Sequence, residues 1–328
     1  MSLIGHADAV AALRDAARGG RIHHAWLLAG PRGVGKATFA AAAARWLLAL
    51  EAGPSFARDG LDVPSTHPVA ALLDAGSHPD FRMITRLPRE RSEELARSIT
   101  VDQVRALQPL FATTPSLSRR RVIVIDAIDD LERNAANALL KNLEEPPQGT
   151  IFLLVSHAPG RLLPTIRSRC RLLRFGPLDP PEVEAALRMA LPEADGQEIA
   201  DLVDVAHGAP GVALGFAGLD VAGLDATIDR LAREGDAGNG LRAQLGRQLS
   251  GKTAQARYEA FLERAPARIA AAARTTAVPH LGRTIALWRQ ARDIADRSVR
   301  QSADPQTTVF EIAGLVAQLA PGGADAKA

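Results

Sequence analysis

The sequence predicts an α/β protein, a phosphate-loop domain on a parallel sheet followed by helices alone. Three observations predict it. The stretch Gly30-Pro31-Arg32-Gly33-Val34-Gly35-Lys36-Ala37-Thr38 follows a short apolar run and leads into an alanine-rich segment. This is the strand–loop–helix setting in which backbone N–H groups and a helix N-terminus cradle phosphate. Val122-Ile123-Val124-Ile125-Asp126 and Ile151-Phe152-Leu153-Leu154-Val155-Ser156 are unbroken apolar runs that end in a polar residue, as in parallel strands covered on both faces. No strand pattern of any quality follows Phe175.

Taken in order, Ile4 to Ala17 carries apolar residues at helical spacing and closes at Gly19-Gly20. His23 and His24 precede the first strand, Ala25 to Ala29. On an extended segment they point to opposite sides, so a shared metal is not expected. After the loop, Phe39 to Leu50 reads as a helix buried on most of its surface, with Arg45 its main charge. Glu51 to Leu73 mixes Gly, Pro, Ser and charges without a period and reads as an irregular insertion. Gly76-Ser77-His78-Pro79-Asp80 leads into a strand over Phe81 to Ile84, and the polar Arg86 to Ser98 reads as a loop.

Thr100 and Gln103 form a capping-box pair for one helix with an apolar face of Val101, Val104, Leu107 and Phe111. Arg119-Arg120-Arg121 precede the apolar strand Val122 to Asp126. Asn134 to Glu145 is a packing helix stopped by Pro146-Pro147. Leu162 to Arg171 is an arginine-rich turn before the apolar piece Leu172 to Phe175. Asp179 and Glu182 then open a helix to about Leu191, and another runs from Gln197 to Ala206. Beyond Leu219 helices are expected over Tyr258 to Ala273, Leu281 to Ser298 and Thr308 to Leu319, with a frayed end at Gly322 to Ala328.

The 328 residues are 47% hydrophobic, enough for two or three cores. A net charge of +2 does not indicate nucleic-acid binding through a global basic field. The single cysteine, Cys170, excludes an internal disulfide and a multi-cysteine zinc site. Apolar runs fall short of the roughly 18 residues of a spanning helix, and no signal-peptide pattern opens the chain. A cytoplasmic protein without membrane contact is the expectation.

The candidate phosphate site comprises Gly30, Gly33, Gly35, Lys36 and Thr38, with Asp126 at the end of the neighbouring strand. Its magnesium chemistry is defective. The residue after Lys36 should be Ser or Thr and is Ala37, with Thr38 one place late. Hydrolysis also needs a group that activates water, and where some ATPases place Glu after the strand Asp this chain has Ala127. Asp129 and Asp130 lie several ångströms further along, too far to serve as an equivalent base. Whether ATP or ADP still binds without magnesium is left open by these residues. Ser168-Arg169-Cys170 closes the arginine-rich turn. Its arginine reads either as a solvated surface residue or as one supplied in trans to a neighbour's γ-phosphate, a role worth about 10³ to 10⁵ in rate.

The segments HAWLLAGPRGVGK, GSHPDF, VDQVRAL, VIVIDAID, AANALLKNLEEPP and LLPTIRSRC, in this order, closely resemble the bacterial DNA polymerase III clamp-loader subunits of the AAA+ class. The resemblance covers about residues 1 to 215. It implies an AAA+ sheet domain over 1–176, a small helical lid over 177–218 and an all-α collar over 219–328 that joins a five-membered ring. It implies as partners the ATP-hydrolysing gamma/tau subunits and delta and, through the assembly, the sliding clamp and primed DNA.

Within that family the resemblance is to a member that does not hydrolyse ATP but acts as a stator, with Arg169 as the finger, Ser168 beside it and Ser156 as the polar sensor. A lid arginine expected near Gly211 has no counterpart, since Val212 and Ala213 follow. Many relatives carry a four-cysteine zinc module before GSHPD. Glu51 to Leu73 holds no cysteine, so no zinc is expected. The rival readings are an active, gamma/tau-like ATPase using Thr38 and a stand-alone P-loop protein such as a nucleotide kinase.

Overall fold

The computed structural model describes residues 3–20, 22–56, 60–88, 95–251, 254–301 and 303–321. The chain divides into two compact units, Met1–Ala213 and Leu214–Ala328.

The first unit holds a five-stranded sheet, all parallel, in the order β2-β3-β4-β1-β5. The strands are β1 (Ala25–Ala29), β2 (Phe81–Thr85), β3 (Arg121–Asp126), β4 (Thr150–Ser156) and β5 (Arg171–Arg174). Helices α1 (Ala7–Arg18), α2 (Lys36–Ala49), α3 (Pro68–Asp74), α4 (Val101–Arg105), α5 (Gln108–Phe111), α6 (Arg133–Glu144) and α7 (Pro164–Arg167) are interleaved with them. After β5 the unit continues through α8 (Pro180–Ala190), α9 (Gly196–Ala206) and all but the last residue of α10 (Pro210–Leu214).

The unbroken apolar strands follow from burial on both faces. Successive side chains of a strand point to opposite sides. Trp26, Leu28, Val122, Val124, Leu153 and Val155 therefore pack with Phe39, Ala43 and Leu47 of α2 and Leu13 of α1. Leu27, Ile123, Ile125, Phe152 and Leu154 meet Leu139 and Leu143 of α6 and Val104 of α4 on the other face. The alanines of α2 let it lie close on the sheet: Ala40 and Ala43 are fully buried.

The GSHPD segment has a structural use. His78 Nδ1 accepts the Asp80 N–H at 3.1 Å. The fully buried Asp80 carboxylate accepts the Ser116 and Leu117 amides at 2.7 and 2.8 Å, tying the approach to β3 onto the start of β2.

Several expectations are corrected. The insertion at Glu51 to Leu73 is not wholly irregular, because α3 begins within it at Pro68, and the His67 side chain caps it by accepting the Val69 N–H. The capping box at Thr100 and Gln103 forms, but the helix ends at Arg105 and a second short one restarts at Gln108, with Pro109 in its first turn. Arg121 does not precede the strand; it is the first residue of β3 and is buried, with Nη2 donating to the Thr113 carbonyl at 3.2 Å. His23 and His24 do not diverge: their rings stack at 4.5 Å because His24 lies in a bend before β1, where strand alternation has not begun. Part of the loop at Arg86 to Ser98 and the expected frayed end at Gly322 to Ala328 lie outside the described residues.

The second unit is helical: α11 (Val221–Glu234), α12 (Gly240–Gln248), α13 (Gln255–Thr275), α14 (Val278–Gln301) and α15 (Pro305–Ala317). α13 packs against α14 and α15, and α12 against α15. Asp225 and Asp229, one turn apart on α11, pair with Arg264 and Arg268, one turn apart on α13. Among the described residues no strand follows β5, and no helix is long and apolar enough to cross a membrane.

Candidate functional site

The glycine-rich loop occupies the turn between the end of β1 and the start of α2. Gly33 and Gly35 take φ of +77° and +102°, in the left-handed region that glycine enters at no steric cost. Gly30 is required for space, since a Cβ there would stand 2.2 Å from the Phe175 carbonyl oxygen.

Lys36 is almost completely buried, and its Nζ donates to the Gly30 and Pro31 carbonyls at 2.8 and 2.5 Å. Its ammonium is thus turned onto the loop that would hold phosphate. Burial pushes its pKa down to about 8, against the pull of Asp126 and Asp129. Burial also raises Asp126, opposed by His157 and Lys36. Thr38 lies half-buried in the first turn of α2.

The carboxylates after β3 are committed elsewhere. Asp129 accepts the Ser156 hydroxyl at 3.0 Å and the backbone N–H groups of His157 and Ala158 at 2.7 and 3.0 Å. It therefore pins the end of β4. Ser156, the expected polar sensor, stands at that strand end opposite Ala29, with its hydroxyl given to Asp129. Asp130 pairs with Arg86 at 3.2 Å, and Ala127 is buried without any polar group.

Two residues at this site escaped the sequence reading. His157, one place past the end of β4, interacts electrostatically with Lys36, Asp126 and Asp129, and burial lowers its pKa. Its Nδ1 is buried without a hydrogen-bond partner. The available signal was its position, because residues just beyond the carboxyl ends of parallel strands line the ligand crevice. His6, at the start of α1, places Nε2 2.6 Å from the Val34 carbonyl and its ring edge-on to Phe175. No local pattern marks it.

α10 closes over the same loop. The Gly211 N–H donates to the Gly33 carbonyl at 2.8 Å. A Cβ on Gly211 would stand 2.9 Å from that oxygen, and one on Gly33 would stand 2.6 Å from the Val212 nitrogen. The position near which the family resemblance implies a lid arginine is therefore a backbone-to-backbone contact.

Arg169 belongs to a different place. β5 is parallel to β1 with Trp26 opposite Arg171, so Arg169 lies beside the beginning of β1 and the phosphate loop at its end. The fold does not bring Arg169 to its own chain's loop. α7 ends at Arg167, and Ser168 caps it with its hydroxyl donating to the Thr165 carbonyl at 3.1 Å. Arg169 Nη1 donates to Thr165 O at 2.8 Å, and Nη2 pairs with Glu144 at 2.8 Å. Burial pushes the Cys170 thiol up to about 12, which leaves it an inert packing group. Among the described residues no group of three or more His, Cys, Asp or Glu could hold a metal ion.

The family model described as DNA polymerase III, delta subunit, matches residues 5–179, from the start of α1 through the loop, the sheet and the arginine turn. The chain belongs to the DNA polymerase III delta subunit family. Among its relatives, DNA polymerase III subunit delta' of Pseudomonas aeruginosa is 38% identical over 197 residues, 58% of this chain and 56% of that protein. DNA polymerase III subunit gamma of Buchnera aphidicola subsp. Schizaphis graminum is 37% identical over 169 residues, 51% of this chain and 42% of that one. The chain thus spans about half the length of the curated relatives it matches. A solved DNA polymerase III gamma subunit-related protein from Thermotoga maritima aligns over 95% of this chain and 99% of that one, at 16% identity and a TM-score of 0.44. In this delta-family chain, the family match includes both the phosphate loop and Ser168-Arg169-Cys170.

Proposed function

We propose that this chain is a delta'-type subunit of the DNA polymerase III clamp loader, a stator of AAA+ fold that does not hydrolyse ATP itself. In a ring with gamma/tau and delta it would present Arg169 to a neighbour's γ-phosphate and so help place the sliding clamp on primed DNA. The helices over 177–218 serve as lid and those over 219–328 as collar. One observation carries the reading: the phosphate loop retains its lysine but lacks its hydrolytic parts, while the Arg169 turn is intact and partly exposed. Ala37 offers no metal ligand, Ala127 offers no base, Asp129 is spent on the end of β4, and Gly211 sits on Gly33. An arginine finger supplied in trans acts across an interface and needs no nucleotide in its own chain.

The test is a reconstituted loader. With Arg169→Ala, DNA-dependent ATP turnover of the complex should fall by at least tenfold; turnover equal to wild type would sink the arginine-finger role. A second reading, a gamma-like ATPase, is favoured by the retained Lys36 and by the gamma relative. It predicts ATP turnover by the isolated chain that Lys36→Ala abolishes. Under the stator reading the isolated chain shows none, and ATP or ADP binding through Lys36 and the loop amides is measured separately with labelled nucleotide.

A further inference from the structure

Glu144 is the last residue of α6, ahead of the Pro146-Pro147 stop. The helix runs back from the carboxyl ends of the strands toward their amino ends, and its penultimate carbonyl, of Leu143, lies 3.1 Å from His24 Nε2 just before β1. That places Glu144 beside the arginine turn at the foot of β5. Its Oε1 meets Arg169 Nη2 at 2.8 Å, while Arg169 Nη1 is held by the Thr165 carbonyl at 2.8 Å and by the Ser168 hydroxyl at 3.4 Å. Both terminal nitrogens of the guanidinium are therefore engaged by the same chain. A guanidinium fork binds carboxylate and phosphate through the same donors. The carbonyl end of α6 adds negative potential that favours the cation there.

We infer that Glu144 is the stored partner of Arg169: it holds the guanidinium's Nη2 until a neighbour's nucleotide phosphate displaces it. The inference rests on the proposed role of Arg169 in trans. The pair suits exchange because it is weak. Its side chains are 34% and 48% exposed, and ion pairs so placed shift an equilibrium by only about 1.4- to 5-fold. Thr165 O and Ser168 remain to position Arg169 after Glu144 lets go, so the turn keeps its aim. Glu144 is thus a positioning residue that competes with phosphate, and it tunes how much nucleotide the neighbouring site needs.

The experiment measures the ATP concentration giving half-maximal DNA-stimulated turnover in the complex reconstituted with gamma, delta and the sliding clamp. Glu144→Gln keeps length and hydrogen bonding but removes the charge, and should lower that concentration about 2- to 5-fold, with the difference shrinking as salt rises. Glu144→Lys, which repels Arg169, should lower it further. In an Arg169→Ala background neither change should have any effect, a result that a general structural role of Glu144 would not give. Melting temperatures matching wild type verify folding. If Arg169→Ala slows turnover while Glu144→Gln and Glu144→Lys leave half-saturation unchanged or raise it, this inference falls and the arginine finger stands. If Arg169→Ala itself is silent, the proposed function falls and takes this inference with it.

Discussion

Gly211 gives its backbone N–H to the carbonyl of Gly33 at 2.8 Å, which joins the first turn of α10 to the middle of the phosphate loop. Neither position has room for a side chain, since an added Cβ comes within 2.9 Å of a backbone atom on the partner in either direction. An arginine introduced at Gly211 would have to push α10 off the loop before it could reach a nucleotide.

Gly33→Ala should therefore destabilise the chain by about 2 kcal/mol or more, combining a left-handed φ with a forced contact on Val212. Urea denaturation checks it, and a midpoint equal to wild type would contradict the packing. Gly211→Arg should also be destabilising and should leave the isolated chain without ATP turnover.

Lys36 makes stability depend on pH in a defined window. Its folded pKa, about 8, lies below the ordinary lysine value near 10.4. Between those values the unfolded chain binds more protons than the folded one, so stability rises with pH there. The cost of burying the ammonium is fully present below pH 8. Wild type should therefore gain stability relative to Lys36→Met as pH rises from about 8 to 10.4, and a flat difference between the two would refute this. Any affinity for phosphates should fall over the same range as the charge is lost.

Removing the Asp129 carboxylate strands three donors at the end of β4. Asp129→Ala should cost about 2–4 kcal/mol, and Asp129→Asn, which keeps one acceptor oxygen, clearly less. Chemical denaturation of both variants measures the order. Equal costs, or a loss below about 0.5 kcal/mol for Ala, would show that the carboxylate does not hold the strand end.

Asp80→Ala should be among the more damaging substitutions, about 3 kcal/mol or more. It leaves the Ser116 and Leu117 amides without their acceptor and removes the negative charge beside buried Arg121. Amide hydrogen exchange should show faster opening of the residues before β3, and unchanged protection there would argue against the tie.

The sheet was legible because burial on both faces leaves an unmistakable record: Val122 to Ile125 and Ile151 to Val155 contain no polar residue. The helix stops at Pro146-Pro147 and the capping pairs at Thr100 and Asp179 were legible because they act within a few residues. α3 was not, since its cap is a histidine side chain, outside the usual Ser, Thr, Asp and Asn signals. The break between α4 and α5 was hidden by an apolar period that runs across both. The stacking of His23 on His24 depends on a bend that no alternation rule anticipates.

The sequence by itself determined the class of protein, a phosphate loop on a parallel sheet followed by helices, and it placed Ala37 where a metal-binding hydroxyl is expected and Ala127 where a base is expected. Those are matters of residue type and local spacing, and spacing along a chain is what a sequence records. Only the tertiary structure decided where the remaining groups went. It turned Lys36 onto its own loop, spent Asp129 on Ser156 and the amides beyond it, and seated Gly211 on Gly33. It also set Glu144 against Arg169, at the opposite end of β1 from the phosphate loop. Each of these contacts joins residues distant in sequence or depends on the direction a side chain takes, and the register and handed crossovers of the parallel sheet bring them together.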